Sequence, residues 1–380
     1  MKKLSKAVKI LAIAAALSFA CGCIPHTELD DQGIATAVGI DFSDGEYEVT
    51  VQYFNMEGMG GNAPVDPTKS NVINVSGKGD SVSVALESAS AKCGRSFMYG
   101  ITTLIVLGRE AAEQDILKTL SFAESYYESN PSVLVAAAEE KAADILGVKF
   151  KEGMVSVERL EKLIRNAEEK GLCSAVTVID LLADQHRPFA ATALPVLKTA
   201  DTGSDASDDG KDVLISGGML IADRKNAGEL TLSDLSALQL LNPDPVNTAV
   251  SADMDGEKVN VTVYDISTDI DHDFEEGRLV LDIDIRANGR YTDSQLENKD
   301  ASFSEAVEKV CGGILKERVT EAVRNTVFRY GCDPMRLKYI IASDNYHDWL
   351  AVRNDFGGYL RNAKVQVECD IDIDRFGIVH

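Results

Sequence analysis

The chain has 380 residues and a formal charge of −23, from 61 acidic against 38 basic side chains. So acidic a surface repels phosphate backbones, which excludes nucleic acid as a partner, and repels anionic headgroups, so the body stands off a membrane rather than lying flat on it. The length suffices for two or three domains with their own cores.

The chain opens on a basic tip, Lys2, Lys3, Lys6 and Lys9, followed by an apolar run from Ile10 to Ala20 and then Cys21-Gly22-Cys23. A basic n-region, a short h-region, small residues and a cysteine make an export signal that ends at a lipid-attachment site. The apolar run is too short to cross a bilayer, which takes about 20 apolar residues, and no later stretch is long and apolar enough. We expect residues 1–22 to be a lipoprotein signal peptide, cleaved between Gly22 and Cys23. Cys23 then carries N-acyl and S-diacylglycerol groups. Cys21 is the rival site, but Phe19 sets a ring where a small residue is wanted. Two or three acyl chains make a lasting anchor, since a single chain binds reversibly. Cleavage removes four lysines and no acids, so the mature chain is more acidic still.

Residues 34–55 read as a hairpin: a strand from Ile34 to Ile40, the turn cluster Asp41 to Gly45, and a second strand in which Tyr47, Val49, Val51 and Tyr53 alternate with polar residues. Met56 to Thr68, with Gly58, Gly60, Gly61, Pro64 and Pro67, reads as a loop. Val72 to Val75 is a strand, and Ser81 to Cys93 a helix with Val84, Ala85, Ala89 and Lys92 at helical spacing. Ile101 to Leu107 is apolar throughout, as in a strand buried on both faces. Glu110 to Glu128 reads as one amphipathic helix ended by Asn130-Pro131. Val133 to Val135 is a strand and Glu139 to Leu146 a short helix. Val155 to Lys170 is a helix stopped at Gly171. Thr177 caps another through Leu182, and Ala193 to Leu197 is extended.

Asp201 to Asp212 contains nothing to bury and reads as an acidic linker or exposed loop. Beyond it come a strand and turn from Val213 to Ala222, a helix from Leu232 to Leu241, and alternating strands at Val259 to Val263 and Leu279 to Ile285. The longest helix is Phe303 to Phe328, with a stripe of Phe303, Val307, Val310, Ile314, Ala322 and Val323. Gly312-Gly313 within it marks either a close packing contact or a break. Val365 to Ile373 alternates strictly, acids to solvent and apolar residues to a helix layer. The fold class is α+β, with mixed or antiparallel sheets covered by helices. The domains read as 23–200 (α/β) and 213–380 (α+β), the second divisible at 213–270 and 271–380.

No catalytic constellation stands out. His26, His186, His272, His347 and His380 lie in no metal or triad pattern, and GxSxG, P-loop and GxGxxG sequences are absent. We therefore assign no cofactor and no metal. Asp205 to Gly210 resembles the start of a calcium loop, but Ser216 stands where the bidentate glutamate belongs, so the segment reads as solvated acid. Asp282/Asp284 and Asp370/Asp372/Asp374 sit at i, i+2 on strands, side by side on a wet face. Trp349, the only tryptophan, reads as a helix anchor beside Phe356. Cys93, Cys173, Cys311, Cys332 and Cys369 are odd in number and lack CxxC spacing. They read as small core hydrophobes, and nothing in their spacing supports a Cys311–Cys332 bridge.

Several segments together resemble the Ger(x)C family of spore germination lipoproteins, the C subunits of nutrient germinant receptors. They are Gly22-Cys23, Glu28-Leu29, Ala37-Val38-Gly39-Ile40-Asp41, Asp44 to Gln52, Lys141-Ala142-Ala143-Asp144-Ile145-Leu146, Gly217 to Ile221, the helix from Phe303, Trp349, and the last strand with Gly377. Order and spacing carry the resemblance, since no single motif is decisive. Members usually have tryptophan after the acylated cysteine, where this chain has Ile24, and a second late tryptophan near Phe356 is missing. The resemblance implies several α/β domains and a non-enzymatic role. It implies an acylated protein on the outer face of the spore inner membrane, acting with integral-membrane A and B subunits. The acylated Cys23 is the one family residue role that carries over. A solute-binding lipoprotein is the alternative, though two similar lobes are expected there and the halves of this chain differ in pattern.

Cys23→Ala is expected to yield an unacylated chain that leaves the membrane fraction, read by intact mass and fractionation. Membrane retention of a variant that also lacks Cys21 would count against the anchor.

Overall fold

The computed structural model describes residues 32–54, 72–126, 132–150, 156–201, 203, 210–242, 247–254, 256–292 and 301–373. The signal segment, Cys23, the loop at 56–68, the Asn130-Pro131 stop and Gly377 lie outside them.

The first strands form the expected hairpin. β1 (Gln32–Ser43) and β2 (Glu46–Phe54) run antiparallel, and the turn between them uses the left-handed region at Asp44 and Gly45. β3 (Val72–Gly79) joins β2 antiparallel. Helix α1 (Val82–Cys93) is capped by Ser81, whose side chain accepts from the Val84 N–H. Its buried side is Val82, Ala85, Leu86 and Ala89. Val84, one of the residues at helical spacing, is 48% exposed. A Cβ at Gly77 would collide with the α1 backbone, so glycine lets the helix lie flush on β3.

β4 (Ser96–Met98) and β5 (Leu104–Leu107) both run parallel to β1. The strand expected from Ile101 starts only at Leu104, because residues 99–102 form a hydrogen-bonded turn. The long helix expected over 110–128 is instead three pieces, α2 (Arg109–Ala112), α3 (Ile116–Thr119) and α4 (Ser121–Tyr126). Asp115 is the reason for the first break. Its side chain caps Leu117, and the Ile116 N–H donates to the Arg224 carbonyl instead of continuing a helix.

β6 (Leu134–Ala138) pairs parallel with β5, and α5 (Ala142–Gly147), α6 (Ser156–Glu169) and α7 (Val178–Gln185) follow. Gly171 ends the α6 region at φ +66°, and Thr177 caps α7 as expected. β7 (Ala191–Asp201) pairs parallel with β6, then β8 (Lys211–Ala222) and β9 (Lys225–Leu230) add antiparallel. The strand order is β3-β2-β1-β5-β6-β7-β8-β9, with β4 beside β1. Pairing of β7 with β8 reaches Asp201↔Lys211, so the sheet continues across the acidic stretch.

Alternate residues of the central strands feed two cores. Ile105, Leu107, Val135 and Ala137 pack with α1 and α7, whereas Leu104, Val106, Leu134 and Ala136 pack with α5 and α6. Both faces are dry, which is why these strands are apolar throughout rather than alternating.

The second unit follows α8 (Leu232–Leu240). β10 (Thr248–Met254), β11 (Glu257–Glu275), β12 (Arg278–Tyr291) and the last strand β13 (Lys364–Ile373) form a four-stranded sheet in chain order. β11 and β12 run well beyond the segments expected from sequence. Between β12 and β13 come α9 (Ala301–Val323), extended by a π-helical turn at Arg324–Phe328, then α10 (Leu337–Asp344), α11 (Tyr346–Val352) and α12 (Phe356–Arg361). The buried line of α9 is Val307, Cys311, Leu315, Val319 and Ala322; Phe303, Val310 and Ile314 of the expected stripe are half-buried. Their core joins Leu220 and Leu230 of the first sheet.

Gly312 is the close contact of the two readings offered by Gly312-Gly313, and the helix does not break. A Cβ there would lie 2.6 Å from the Cys369 carbonyl oxygen of β13, while Gly313 faces open space. Gly312→Ala is therefore expected to lower unfolding free energy by about 1–3 kcal/mol. Gly313→Ala should raise it by up to about 1 kcal/mol. Urea unfolding followed by Trp349 fluorescence reads both; equal effects at the two positions would refute the packing account.

Candidate functional site

Cys23, the one site residue expected from sequence, and the Gly22–Cys23 cleavage point lie outside the described residues. Two other resemblance segments meet each other. Asp41, at the end of β1, is buried; its Oδ1 accepts from the Ala142 N–H at 2.8 Å and its Oδ2 from the Ala143 N–H at 3.1 Å. It thus caps α5 from across the sheet. Burial raises its pKa against the lowering effect of those two bonds. Gly39 lies under the same helix, where a Cβ would press on Leu146 and Ala142, and a Cβ at Gly108 would strike the Asp41 carboxylate. Gly-Ile-Asp and Lys-Ala-Ala-Asp-Ile-Leu are the two halves of one structural joint.

The paired acids lie on the open face of the second sheet. β11, β12 and β13 place Asp269 opposite Asp284, Asp271 opposite Asp282, Asp284 beside Glu368, and Arg286 beside Asp370. Like charges directly opposed cost stability, and solvent on this face screens them. Among the described residues no group of three His, Cys, Asp or Glu is arranged to hold a metal. Most of the calcium-like segment, 204–209, and Asp374, His26 and His380 lie outside the described residues. His186 Nδ1 meets the Leu182 carbonyl at the end of α7, and His347 is exposed. The side chain of half-buried His272 points inward, its Nδ1 without a hydrogen-bond partner and 3.6 Å from the Asp344 carboxylate. Trp349 packs edge-on against Phe356 at 5.2 Å with Lys338 over its ring, the anchor expected.

The five described cysteines are all free. Burial pushes the thiols of Cys173 and Cys332 up to about 12, and those of Cys311 and Cys369 up to about 11. Such thiols stay protonated at neutral pH and make poor nucleophiles.

The largest feature that sequence reading missed is the joint between the two units. The Asp333 N–H donates to the Phe189 carbonyl at 2.7 Å, and the Ala191 N–H donates to the Asp333 carbonyl at 3.3 Å. The Asp333 carboxylate accepts from the N–H groups of Leu337 (2.8 Å) and Lys338 (2.9 Å), starting α10. Burial pushes this carboxyl up to about 6 despite those bonds. Phe189 (φ 66°) and Arg336 (φ 60°) are both non-glycine residues in the left-handed region, and Phe189 stacks edge-on against Phe356 at 5.8 Å. Strain at both positions is held in place by these contacts. Asp333-Pro334 ahead of Leu337 was the available signal, since Asp before Pro starts turns and caps helices.

A cavity of about 400 Å³ opens beside the joint, lined by Ser174, Asp184, Thr192, Gln239, Asn242 and Arg336. Its polar groups largely satisfy each other. Gln239 donates to Ser174 at 2.6 Å, Asn242 to Gln239 at 3.2 Å, and Thr192 to Asp184 at 3.1 Å. The Ser174 hydroxyl meets an amide donor and not a base, and among the described residues the Thr192–Asp184 pair is joined by no third group that would orient it as a nucleophile and base.

Comparison with known proteins follows this geometry. Residues 25–199 match the family model described as the spore germination protein N-terminal domain. Residues 216–377 match the model described as spore germination B3/GerAC like, C-terminal. The crystal structure of the GerBC protein superposes with a TM-score of 0.57 at 15% identity, over 89% of this chain and 98% of that one. No curated protein matches the chain.

Asp333 makes a pH prediction. Its folded pKa of about 6 lies above the ordinary 3.8, so the folded state holds the proton more tightly. Stability from this group is present below the ordinary value and is lost as pH rises through about 6. Urea unfolding should show the native chain losing on the order of 3 kcal/mol across that window relative to Asp333→Asn. A constant difference across the window would exclude this role.

Proposed function

The chain belongs to the Ger(x)C family of spore germination proteins, and from this we propose that it is a lipid-anchored, non-enzymatic subunit of a nutrient germinant receptor. Its partners are the integral-membrane A and B subunits, and its place is the outer face of the spore inner membrane. One observation carries the reading: the two family models, taken together, account for both halves of the chain in the order expected of one such subunit. The signal segment and Cys23 support the anchor. Among the described residues no helix is long and apolar enough to cross a membrane, which is compatible with attachment by acyl chains alone.

The chemistry fits a binding role. Buried thiols, capped carboxylates and mutually bonded cavity groups leave little free for catalysis. Tethering raises effective concentration near membrane partners, so each protein contact can be weak. The two units differ, one with a mixed sheet of nine strands and one with four, unlike the paired lobes of a solute-binding protein.

Deleting the gene in a spore former that lacks related copies should abolish germination to at least one nutrient, restored by the native gene. The A and B subunits should co-purify with the native chain from spore membranes. Normal responses to every nutrient in that strain would refute the reading.

A further inference from the structure

We propose that one rim of the larger sheet is a lipid contact, with Met98 and Ile101 entering the headgroup region of the membrane that holds the anchor. This rests on the anchored reading above, and deepens it from a tether to a tether with a fixed orientation.

The placement comes from the topology. β1 begins at Gln32, and eight residues, nine Cα–Cα steps, separate it from Cys23. A chain of that length spans at most about 30 Å, so the start of β1 stays near the bilayer. β4 runs parallel to β1, pairing Gln32 with Ser96 and Ile34 with Met98, and so opens at the same end of the sheet. The turn at 99–102 follows directly. Met98 is 40% and Ile101 46% exposed, large apolar side chains left in water. Ile179 is also exposed on this rim, brought there by bonds from Leu134 to Thr103 and from Val178 to Val133.

The turn is rigid. The Thr102 N–H donates to the Tyr99 carbonyl at 2.9 Å, and the Thr102 hydroxyl to the Ala35 carbonyl at 3.1 Å. Beneath it Phe97 stacks with Tyr53 and with Tyr99. The side chains it presents are therefore pre-organised rather than ordered on contact.

Charge separates this rim from the rest of the body. From residue 94 to residue 103, the segment that forms this rim, the chain has no acid, and its one charge is Arg95. In a chain with 61 acids that is the composition of a surface that anionic headgroups do not reject. The connecting segment does carry Glu28, Asp30 and Asp31, and Asp180 lies next to Ile179, so the contact relies on apolar insertion by Met98 and Ile101 and not on net attraction. Interfacial side chains of this kind enter the boundary by about 5–10 Å.

The test is depth-dependent quenching. The mature chain, acylated at Cys23, is reconstituted in vesicles of three parts phosphatidylcholine to one part phosphatidylglycerol carrying brominated acyl chains. Met98→Trp and Ile101→Trp are compared with Leu214→Trp, an exposed position at the opposite end of the sheet, where β8 pairs with the end of β7. Trp349 is kept in all three as the reporter of folding. Rim tryptophans should shift to shorter wavelength and be quenched about twofold more than the Leu214 variant. Quenching equal to that at Leu214 in both rim variants overturns the proposal. A parallel chain held by an amino-terminal hexahistidine on nickel-chelating lipid supplies the tether without acylation. Selective rim quenching there, with a native chain whose mass shows no acyl groups, would uphold the lipid contact while refuting the anchored reading.

Discussion

Burial of both faces of β5 and β6 is the constraint on which the larger unit depends. A strand whose side chains are all apolar cannot leave either face wet. Each side chain such as Leu104 or Ile105 is worth about 1.5–3 kcal/mol when fully buried. The backbone also needs hydrogen-bonding neighbours on each side, which β1 and β7 provide. Helices must then cover both faces, and the parallel crossings from β5 to β6 and from β6 to β7 deliver them. α7 closes one face; α5 and α6 close the other. Asp41 follows from the same geometry. The start of α5 falls over the end of β1, its N–H groups need acceptors, and a buried carboxylate supplies two.

The second unit solves a different problem. Its sheet is covered on one side only, so its strands alternate and its outer face fills with acids. α9 lies across the inner face, close enough at Gly312 to touch the backbone of β13. The two units then lock at a few well-defined points. Tyr330, just past the π-helical turn, sets its hydroxyl where Gly228 of β9 has no side chain. Asn325 reaches the Asp234 carboxylate of α8 at 2.9 Å. Asp333 is bonded to the segment entering β7. Two left-handed residues and a buried carboxylate at that joint mark it as a place where backbone geometry was constrained by docking rather than by local preference.

Under the proposed function these features would divide the labour. Acyl chains at Cys23 would hold the protein, the acidic body would keep it off anionic lipid, and the rim near the start of β1 would orient it. At the Phe189–Asp333 contact the two units are bonded backbone to backbone.

Much of this was legible in the residues. Periodicity placed the first hairpin, both buried central strands, the Thr177 cap, the Gly171 stop and the alternation of the last strand, because each is decided by neighbours close in sequence. The ordered segments that resemble the Ger(x)C family placed the family, and the Gly22-Cys23 boundary is the ground for the proposed anchor. Three kinds of feature needed the tertiary structure. The helix expected over 110–128 broke because Arg224, far along the chain, captures the Ile116 N–H. The sheet ran on past the acidic stretch, because strand pairing of β7 with β8 is indifferent to what fills the connection. Gly39, Asp41 and Ala142 acquired a purpose only when β1 and α5 met, and Asp333 only when two units docked. Local sequence sets the period of an element and the residues that can start or stop it. Which hydrogen bond an exposed amide chooses, and which glycine must stay bare, depends on atoms that folding brings from elsewhere.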